Sequence, residues 1–471
     1  MGSLITEPLG LYGWRDREAV LLAALLTEEP LLLVGRHGCA KSFILERLAQ
    51  SLGMEFRFYN ASLVNYDDIV GIPLPNDTRT DINFLAPKNG IWDAQVVFFD
   101  EINRTRPDLQ NKLFPIIHEK RIQGRPLERL VYRWAAMNPP PPEDADTSGE
   151  ALYLGAEPLD AALADRFTFI MDVPDWLALS EADQLKVLSD QFAGRHEFPV
   201  EIGTLVAKAK DNFRRFTKVL EPQMAKFIVA LVPQLIGAKF DVSTRRACMI
   251  ERAILAVHAS RTVIASTCGD EAPDLYGSAI LALQYALPDR VRREISRVAV
   301  TALAKKAWEI AEMANDDPTR DLLLVPDPVV RLEHLAKGRL PIKSADAAVV
   351  IGEGIAAAKP PFRRGLAIAT YLAMRKRTDI PASTMELLIS EIRPAIQPSV
   401  NSVSVPMGKA QLTRAIGAAI AETNGKYGND TPLAKYHANL LYSQLPDGYI
   451  SAGEVMEVSR EFTRLWEEFN L

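Results

Sequence analysis

Leu31-Leu32-Leu33-Val34 is a short apolar run, bounded like a buried strand, and it ends at Gly35. Arg36, His37, Gly38 and Cys39 follow, and then Ala40, Lys41 and Ser42. The next segment, Phe43 to Leu52, places Ile44, Leu48 and Leu52 on one helical face and stops at Gly53. Strand, glycine-containing loop, Lys-Ser and helix is the layout of a phosphate-binding loop. Residues Gly35 to Ser42 would cradle a polyphosphate with backbone N–H groups. Lys41 suits the β- and γ-phosphates, and the Ser42 hydroxyl suits the shell of a Mg²⁺ ion. Ala40 stands where the usual pattern has its second glycine. Alanine reaches positive φ only with strain, so the loop is expected to close there in a helix-like conformation. The competing reading is an ordinary strand–turn–helix with a chance Lys-Ser pair.

Two further apolar runs end in polar groups. Gln95 to Phe99 leads into Asp100-Glu101. An acidic pair at the end of a buried strand is costly without a partner. Beside a phosphate loop that partner is Mg²⁺ through Asp100, which leaves Glu101 to prepare the attacking water. The alternative is a solvated acidic turn. Val131 to Met137 leads into Asn138-Pro139. Asn138 there can hydrogen-bond the γ-phosphate or the water, although Asn-Pro is also an ordinary turn signal.

In this order the motifs resemble those of the MoxR branch of the AAA+ ATPases, over roughly residues 10 to 295. Gly35 to Ser42, Asp100-Glu101-Ile102-Asn103-Arg104 and Asn138-Pro139 correspond to its phosphate loop, acidic strand end and first sensor. Leu159 to Phe167 matches the stretch ending in Asp-Arg-Phe, and Asp67 to Gly71 the short motif that opens the branch's helix-2 insert. The resemblance implies an α/β P-loop core on a parallel five-stranded sheet, followed by an α-helical lid. It implies ATP and Mg²⁺ as cofactors and hydrolysis in a homo-oligomeric, hexameric ring. Arg166 would then be an arginine finger for the neighbouring subunit. Arg245, in Ser243-Thr244-Arg245-Arg246-Ala247, would reach the γ-phosphate from the lid, with Arg246 as a rival for that role. The implied work is remodelling or activation of a protein client, often one with a von Willebrand factor A domain. The motor subunit of a metal chelatase has the same core motifs, and a nucleic-acid motor is a third class.

Composition narrows the field. The chain has 471 residues, enough for two or three domains, and its 48% hydrophobic and 24% charged residues are ordinary globular values. A net charge of −6 argues against a dedicated duplex-DNA binder. No uninterrupted apolar run approaches the length of a membrane span, and the first ten residues lack a secretory pattern, so a cytoplasmic location is expected. Cys39, Cys248 and Cys268 have no metal-ligand spacing, and the six histidines form no cluster.

The positioning elements divide the chain into three expected domains. Residues 1–173 alternate strand and helix signals, with helices over Glu18 to Leu26 and Pro107 to His118, a strand over Glu55 to Tyr59 and a fifth strand over Phe167 to Met171. Residues 174–297 read as the lid, with separate helices over Ile202 to Leu220 and Glu221 to Leu235. Residues 298–471 read as a mainly α-helical region, interrupted at Asp317-Pro318, Pro360-Pro361 and Gln397-Pro398.

Overall fold

The computed structural model describes residues 3–77, 80, 82–139, 159–190, 202–338, 342–396, 410–445 and 450–471. They form two compact units, residues 1–232 with 239–311 and residues 233–238 with 312–471.

The first unit is built on a five-stranded parallel sheet. In chain order its elements begin with α1 (Glu18–Thr27), β1 (Leu31–Val34), α2 (Lys41–Ser51), β2 (Phe56–Asn60), α3 (Tyr66–Val70), β3 (Ile72–Pro75) and β4 (Ile82–Leu85). They continue with β5 (Val96–Asp100), α4 (Pro107–Phe114), β6 (Arg121–Ile122), β7 (Arg125–Pro126), β8 (Tyr132–Met137), α5 (Ala161–Ala164) and β9 (Phe169–Asp172). The sheet order is β2-β5-β8-β1-β9. β1, β5 and β8 are apolar and buried on both faces, as interior parallel strands must be. The charged side chains in them are Asp100 at the end of β5 and the buried Arg133 of β8. Arg133 donates to the carbonyls of Ile117, Glu28 and Val131, and burial pulls its guanidinium down to about 10.

Two small antiparallel ribbons lie outside this sheet. β3 pairs with β4, setting Pro73 opposite Phe84 and Pro75 opposite Ile82, and Ile72, Leu74 and Leu85 of this ribbon are exposed. β6 pairs with β7. The expected hairpin tip at Asn76 to Asp81 lies partly, and the proline-rich loop at 139–142 mostly, outside the described residues. The helix predicted over Pro107 to His118 changes character after Phe114. Pro115 has no N–H to donate, and Pro115–Glu119 forms a π turn.

The lid helices α6 (Glu181–Asp190), α7 (Ile202–Gly237), α8 (Thr244–Cys268), α9 (Leu275–Leu283) and α10 (Arg297–Glu312) follow, and all but the last turn of α7 belong to this same unit. α10 is therefore part of the first unit, and the expected boundary at 297/298 falls instead after it. It buries Val300, Ala304, Ala307 and Ile310, and its Trp308 ring lies 5.2 Å from Phe227 and 5.3 Å from Tyr276. The two helices expected over 202–235 are one helix of 36 residues. Ile202, Leu205 and Val206 before Pro222, and Met224, Phe227 and Leu231 after it, are all buried. By length and composition α7 also has a stretch apolar enough to cross a membrane, 39% of it buried.

The second unit is helical: α11 (Pro318–Leu323), α12 (Pro328–Ala336), α13 (Ser344–Ala357), α14 (Pro360–Met374), α15 (Ala382–Ile396), α16 (Ala410–Tyr427), α17 (Pro432–Ser443) and α18 (Val455–Glu468). The prolines read as interruptions open helices instead. Pro318 and Pro360-Pro361 stand in first turns, where a missing N–H costs nothing, and the Asp317 side chain caps α11 through the Thr319 N–H. Gln397-Pro398 lies outside the described residues. Arg464 of α18 ties the unit together by bonding Glu333, Glu461 and Glu468, and these carboxylates raise its already high pKa further.

His437 of α17 is fully buried between Thr423 and Ser459, and burial holds its imidazole down at about 4. A histidine depressed in the fold is stabilising above its unfolded value near 6.5, and that stability is lost as pH falls from 6.5 toward 4. The gap is worth about 3 kcal/mol. Denaturant titration of the full chain at pH 7.5 and pH 4.5 should therefore show a smaller acid-induced loss in His437→Phe than in the unmodified chain. Equal losses would mean that His437 titrates normally.

Candidate functional site

The parallel sheet brings the polar strand ends to one edge. Pairing of Val34 with Met137 sets Gly35 beside Asn138, and the Gly35 N–H donates to the Met137 carbonyl at 3.1 Å. Pairing of Asn60 with Asp100 carries the turn after β2 next to the acidic pair. Gly35 to Ser42, Asp100-Glu101 and Asn138 thus meet at the carboxyl ends of β1, β5 and β8, where ligands of open α/β sheets bind.

The loop itself is an anion nest. Gly38 has φ +80° and Ala40 φ +58°, so left-handed residues alternate with residues of negative φ up to Lys41. That alternation turns successive N–H groups toward one point. The first turn of α2 has no side-chain cap, so its N–H groups are available to an anion as well. The helix-like closure expected at Ala40 is therefore not what occurs. Nest geometry requires the left-handed conformation there, and alanine adopts it at a cost of about 1–2 kcal/mol. Gly35 answers a different demand, since a Cβ would lie 2.9 Å from the Val173 Cβ.

Lys41 is buried, with its Nζ 2.7 Å from the Gly35 carbonyl, 2.9 Å from that of Arg36 and 3.3 Å from Asn138 Oδ1. Burial lowers its pKa, opposed by the carboxylates of Asp100 and Glu101. Asn138 Nδ2 lies 3.2 Å from His37 Nε2. Ser42 Oγ donates to Asp100 Oδ2 at 3.0 Å. This hydroxyl–carboxylate pair suits Mg²⁺, which keeps several waters and uses one or two protein oxygens together with substrate phosphates. Among the described residues no cluster of three or more histidine, cysteine or acidic side chains offers a fuller metal cage.

Glu101 has φ +53°, a second strained non-glycine residue. Its Oε2 accepts from Ser62 Oγ at 3.1 Å, while Ser62 Oγ also lies 2.6 Å from Asn60 Oδ1. One hydroxyl proton thus faces two acceptors. Asn60 and Ser62 escaped the sequence reading because only the β2–β5 register brings them to Glu101.

Two cavities adjoin the loop. One, of 310 Å³, is lined by His37 to Phe43, Asp100, Glu101 and Asn138. The other, of 420 Å³, is mostly apolar; it runs from Arg36–Ala40 to Leu11, Tyr12 and Trp14 on one wall and to Trp176, Leu177 and Leu179 on another. The first has the size and polarity for a polyphosphate, the second for a planar base.

Arg166 and Arg245 line neither cavity. Arg166 lies over the Phe114 ring at 4.3 Å and donates to the Ala162 carbonyl. Burial and then the Arg245 charge lower its pKa, and both arginines depress His118 in addition to its own burial. Arg245, expected to reach the γ-phosphate from the lid, thus lies beside Arg166 and lines neither cavity. The start of α8 is pinned to the turn after α5, with Ser243 Oγ donating to Asp165 Oδ2 at 3.1 Å. Arg246 is fully buried there, bonding Asp165 at 3.0 Å and the carbonyls of Phe167 and Ala286. Of the two rivals, Arg246 is committed to the fold and Arg245 is exposed beside Arg166.

Residues 30–167 match the AAA domain family, dynein-related subfamily. The matched residues are those of the parallel sheet and of the loop at its edge. More particularly, the chain is 28% identical over 165 residues to the uncharacterized protein YeaC of Bacillus subtilis (strain 168), covering 34% of this chain and 47% of that one. It is 31% identical over 186 residues to structural protein ORF618 of Acidianus two-tailed virus, covering 37% and 28%. The matches thus span less than half the length of either relative. Among solved structures, a candidate ATPase of Cytophaga hutchinsonii resembles it with a TM-score of 0.45 at 18% identity, over 64% of this chain and 92% of that one.

Ala40 supplies a test of the nest. Ala40→Gly relieves the left-handed strain, and fluorescent-nucleotide titration should give affinity equal to or up to about tenfold tighter than the unmodified chain. Ala40→Val, β-branched at positive φ, should lose binding. Full affinity in Ala40→Val would refute the nest.

Proposed function

We propose that this protein is a Mg²⁺-dependent ATPase of the ring-forming, MoxR-like AAA+ kind that remodels or activates a partner protein in the cytoplasm. The observation that carries this reading is the convergence of Lys41, Ser42, Asp100, Glu101 and Asn138 on one cavity at the carboxyl ends of adjacent parallel strands. The nest and Lys41 would hold the phosphates, and Ser42 and Asp100 the magnesium. When bound, the ion draws off charge developing on the phosphoryl oxygens. Glu101, released from Ser62, would accept a proton from the attacking water, and Asn138 would orient that water or the γ-phosphate.

Arg166 and Arg245 do not line this cavity, and their charges lie close enough to act on one another. Their proposed place is the nucleotide of a neighbouring copy in a homohexamer. A guanidinium stays charged and bridges phosphoryl oxygens bidentately. A protein bearing a von Willebrand factor A domain is the first client to seek.

Lys41→Ala should weaken ATP binding about ten- to a hundredfold, since a charged hydrogen bond is worth about 1.5–3 kcal/mol. Glu101→Gln should bind ATP normally and turn over about two to four orders of magnitude more slowly. If both variants behave as the unmodified chain in titration and turnover, the site is misassigned. The Glu101→Gln form, held with ATP, is also the reagent for capturing the client.

Action across a subunit boundary has its own signature. Specific activity should rise with protein concentration, and Arg166→Ala should bind ATP while losing about three orders of magnitude or more in turnover. Mixing Arg166→Ala with Glu101→Gln should restore some hydrolysis, since an intact Glu101 then meets a neighbour's intact Arg166. Full activity of a dilute monomer carrying Arg166→Ala would exclude this arrangement.

A further inference from the structure

The first residues of the described chain are fastened to one carboxylate. Glu18 opens α1 and is 3% exposed. Its Oε1 accepts from the N–H of Ile5 at 3.0 Å, the N–H of Thr6 at 2.7 Å, the hydroxyl of Thr6 at 2.8 Å and the hydroxyl of Ser3; its Oε2 accepts from the N–H of Leu4 at 3.1 Å. Five donors from four consecutive residues therefore converge on a single side chain. Charge-assisted hydrogen bonds of this kind are about twice as strong as neutral ones, and here they fix a segment that has no strand to hold it.

That segment leads to the apolar cavity. Ile5 and Leu9 are buried, the turn at Glu7–Leu9 packs on the phosphate-loop helix α2, and the chain then supplies Leu11, Tyr12 and Trp14 to the cavity wall. Gly13, between the last two, has φ +75°, and a Cβ there would overlap the Leu179 side chain of the opposite wall. The two walls are also linked from outside, where Lys186 Nζ is 3.0 Å from Glu7 Oε2 and 5.3 Å from the Tyr12 ring centre. The Glu18 carboxylate holds residues 3–6, and from there the chain runs on to this wall.

We infer that Glu18 is a positioning residue for the nucleobase: it places the Leu11–Trp14 wall that a purine stacks against, without touching the ligand. This rests on the nucleotide reading above and adds the residue that sets the base side of the site. The phosphate side is built from a different part of the chain, so the two halves of the ligand should respond separately.

The test compares ATP with inorganic tripolyphosphate, which has the phosphates and no base, on the full-length chain with Mg²⁺ by calorimetric titration. Glu18→Gln turns one acceptor into a donor facing donors. It should raise the Kd for ATP about tenfold or more and leave the Kd for tripolyphosphate within about twofold. Thr6→Val removes the hydroxyl donor and keeps the Thr6 N–H, with less risk to folding, and it should weaken ATP selectively in the same direction by a smaller factor. Lys41→Ala, the control, should lose both ligands. Equal loss of ATP and tripolyphosphate in Glu18→Gln, or unchanged ATP affinity in both Glu18→Gln and Thr6→Val, would overturn the assignment of Glu18. An unmodified chain that binds neither ligand would instead overturn the nucleotide reading itself.

Discussion

One buried ammonium organises the centre of this molecule. Lys41 stands at the first residue of a helix, where the macrodipole is positive and a cation is disfavoured. It is tolerated because the carbonyls of Gly35 and Arg36 and the amide of Asn138 surround its Nζ. Those acceptors exist only if the loop doubles back through the left-handed Gly38 and Ala40, and only if β8 lies directly beside β1. The demand for acceptors around one charge thus links the backbone strain at Ala40, the strand order and the placement of Asn138. A phosphate group would exchange these neutral partners for anionic ones, which is a stronger interaction for the same cation.

The sheet and its motifs were legible because each signal is local. An apolar run ending in Gly, in Asp-Glu or in Asn marks a buried parallel strand and its functional end in a handful of residues. What was hidden depends on register or on distant packing. Asn60 and Ser62 matter only through the pairing of β2 with β5, and Glu18 only through a chain segment that returns to it. The Arg245–Arg246 ambiguity had the same root. Adjacent helical residues point about 100° apart, and only the position of Asp165 reveals which of them is turned inward. The helical half was read with the right class and the wrong punctuation. Prolines break helices internally and also start them, and the two uses differ in the preceding residue, as Asp317 and Asp327 illustrate. In α16, Gly417 and Gly425 weaken the helical signal that Leu412, Ile416 and Ala419 complete on burial.

The distribution of arginines separates fold from chemistry. Arg17, Arg133, Arg246 and Arg290 are engaged with backbone carbonyls or with Asp172 and Asp165, where their many donors satisfy strand and helix ends that would otherwise be bare. Arg166 and Arg245 are the ones left toward solvent near each other. Two like charges in one neighbourhood oppose each other's ionisation, and the depressed pKa of Arg166 records that tension in part.

The exposed ribbon of β3 and β4 has a consequence for solubility. It presents Ile72, Leu74 and Leu85 to solvent on a two-stranded sheet with an open outer edge, the pattern that ordinarily recruits further strands. Pro73 and Pro75 stand two residues apart, so their missing donors fall on the same side of β3, and that side must be the outward one for the pairing with β4 to survive. The outer edge of β3 therefore lacks the N–H groups a templated strand would need, whereas β4 has no proline. An apolar surface can be kept open for contact through side chains while strand addition along β3 is disfavoured by its own backbone.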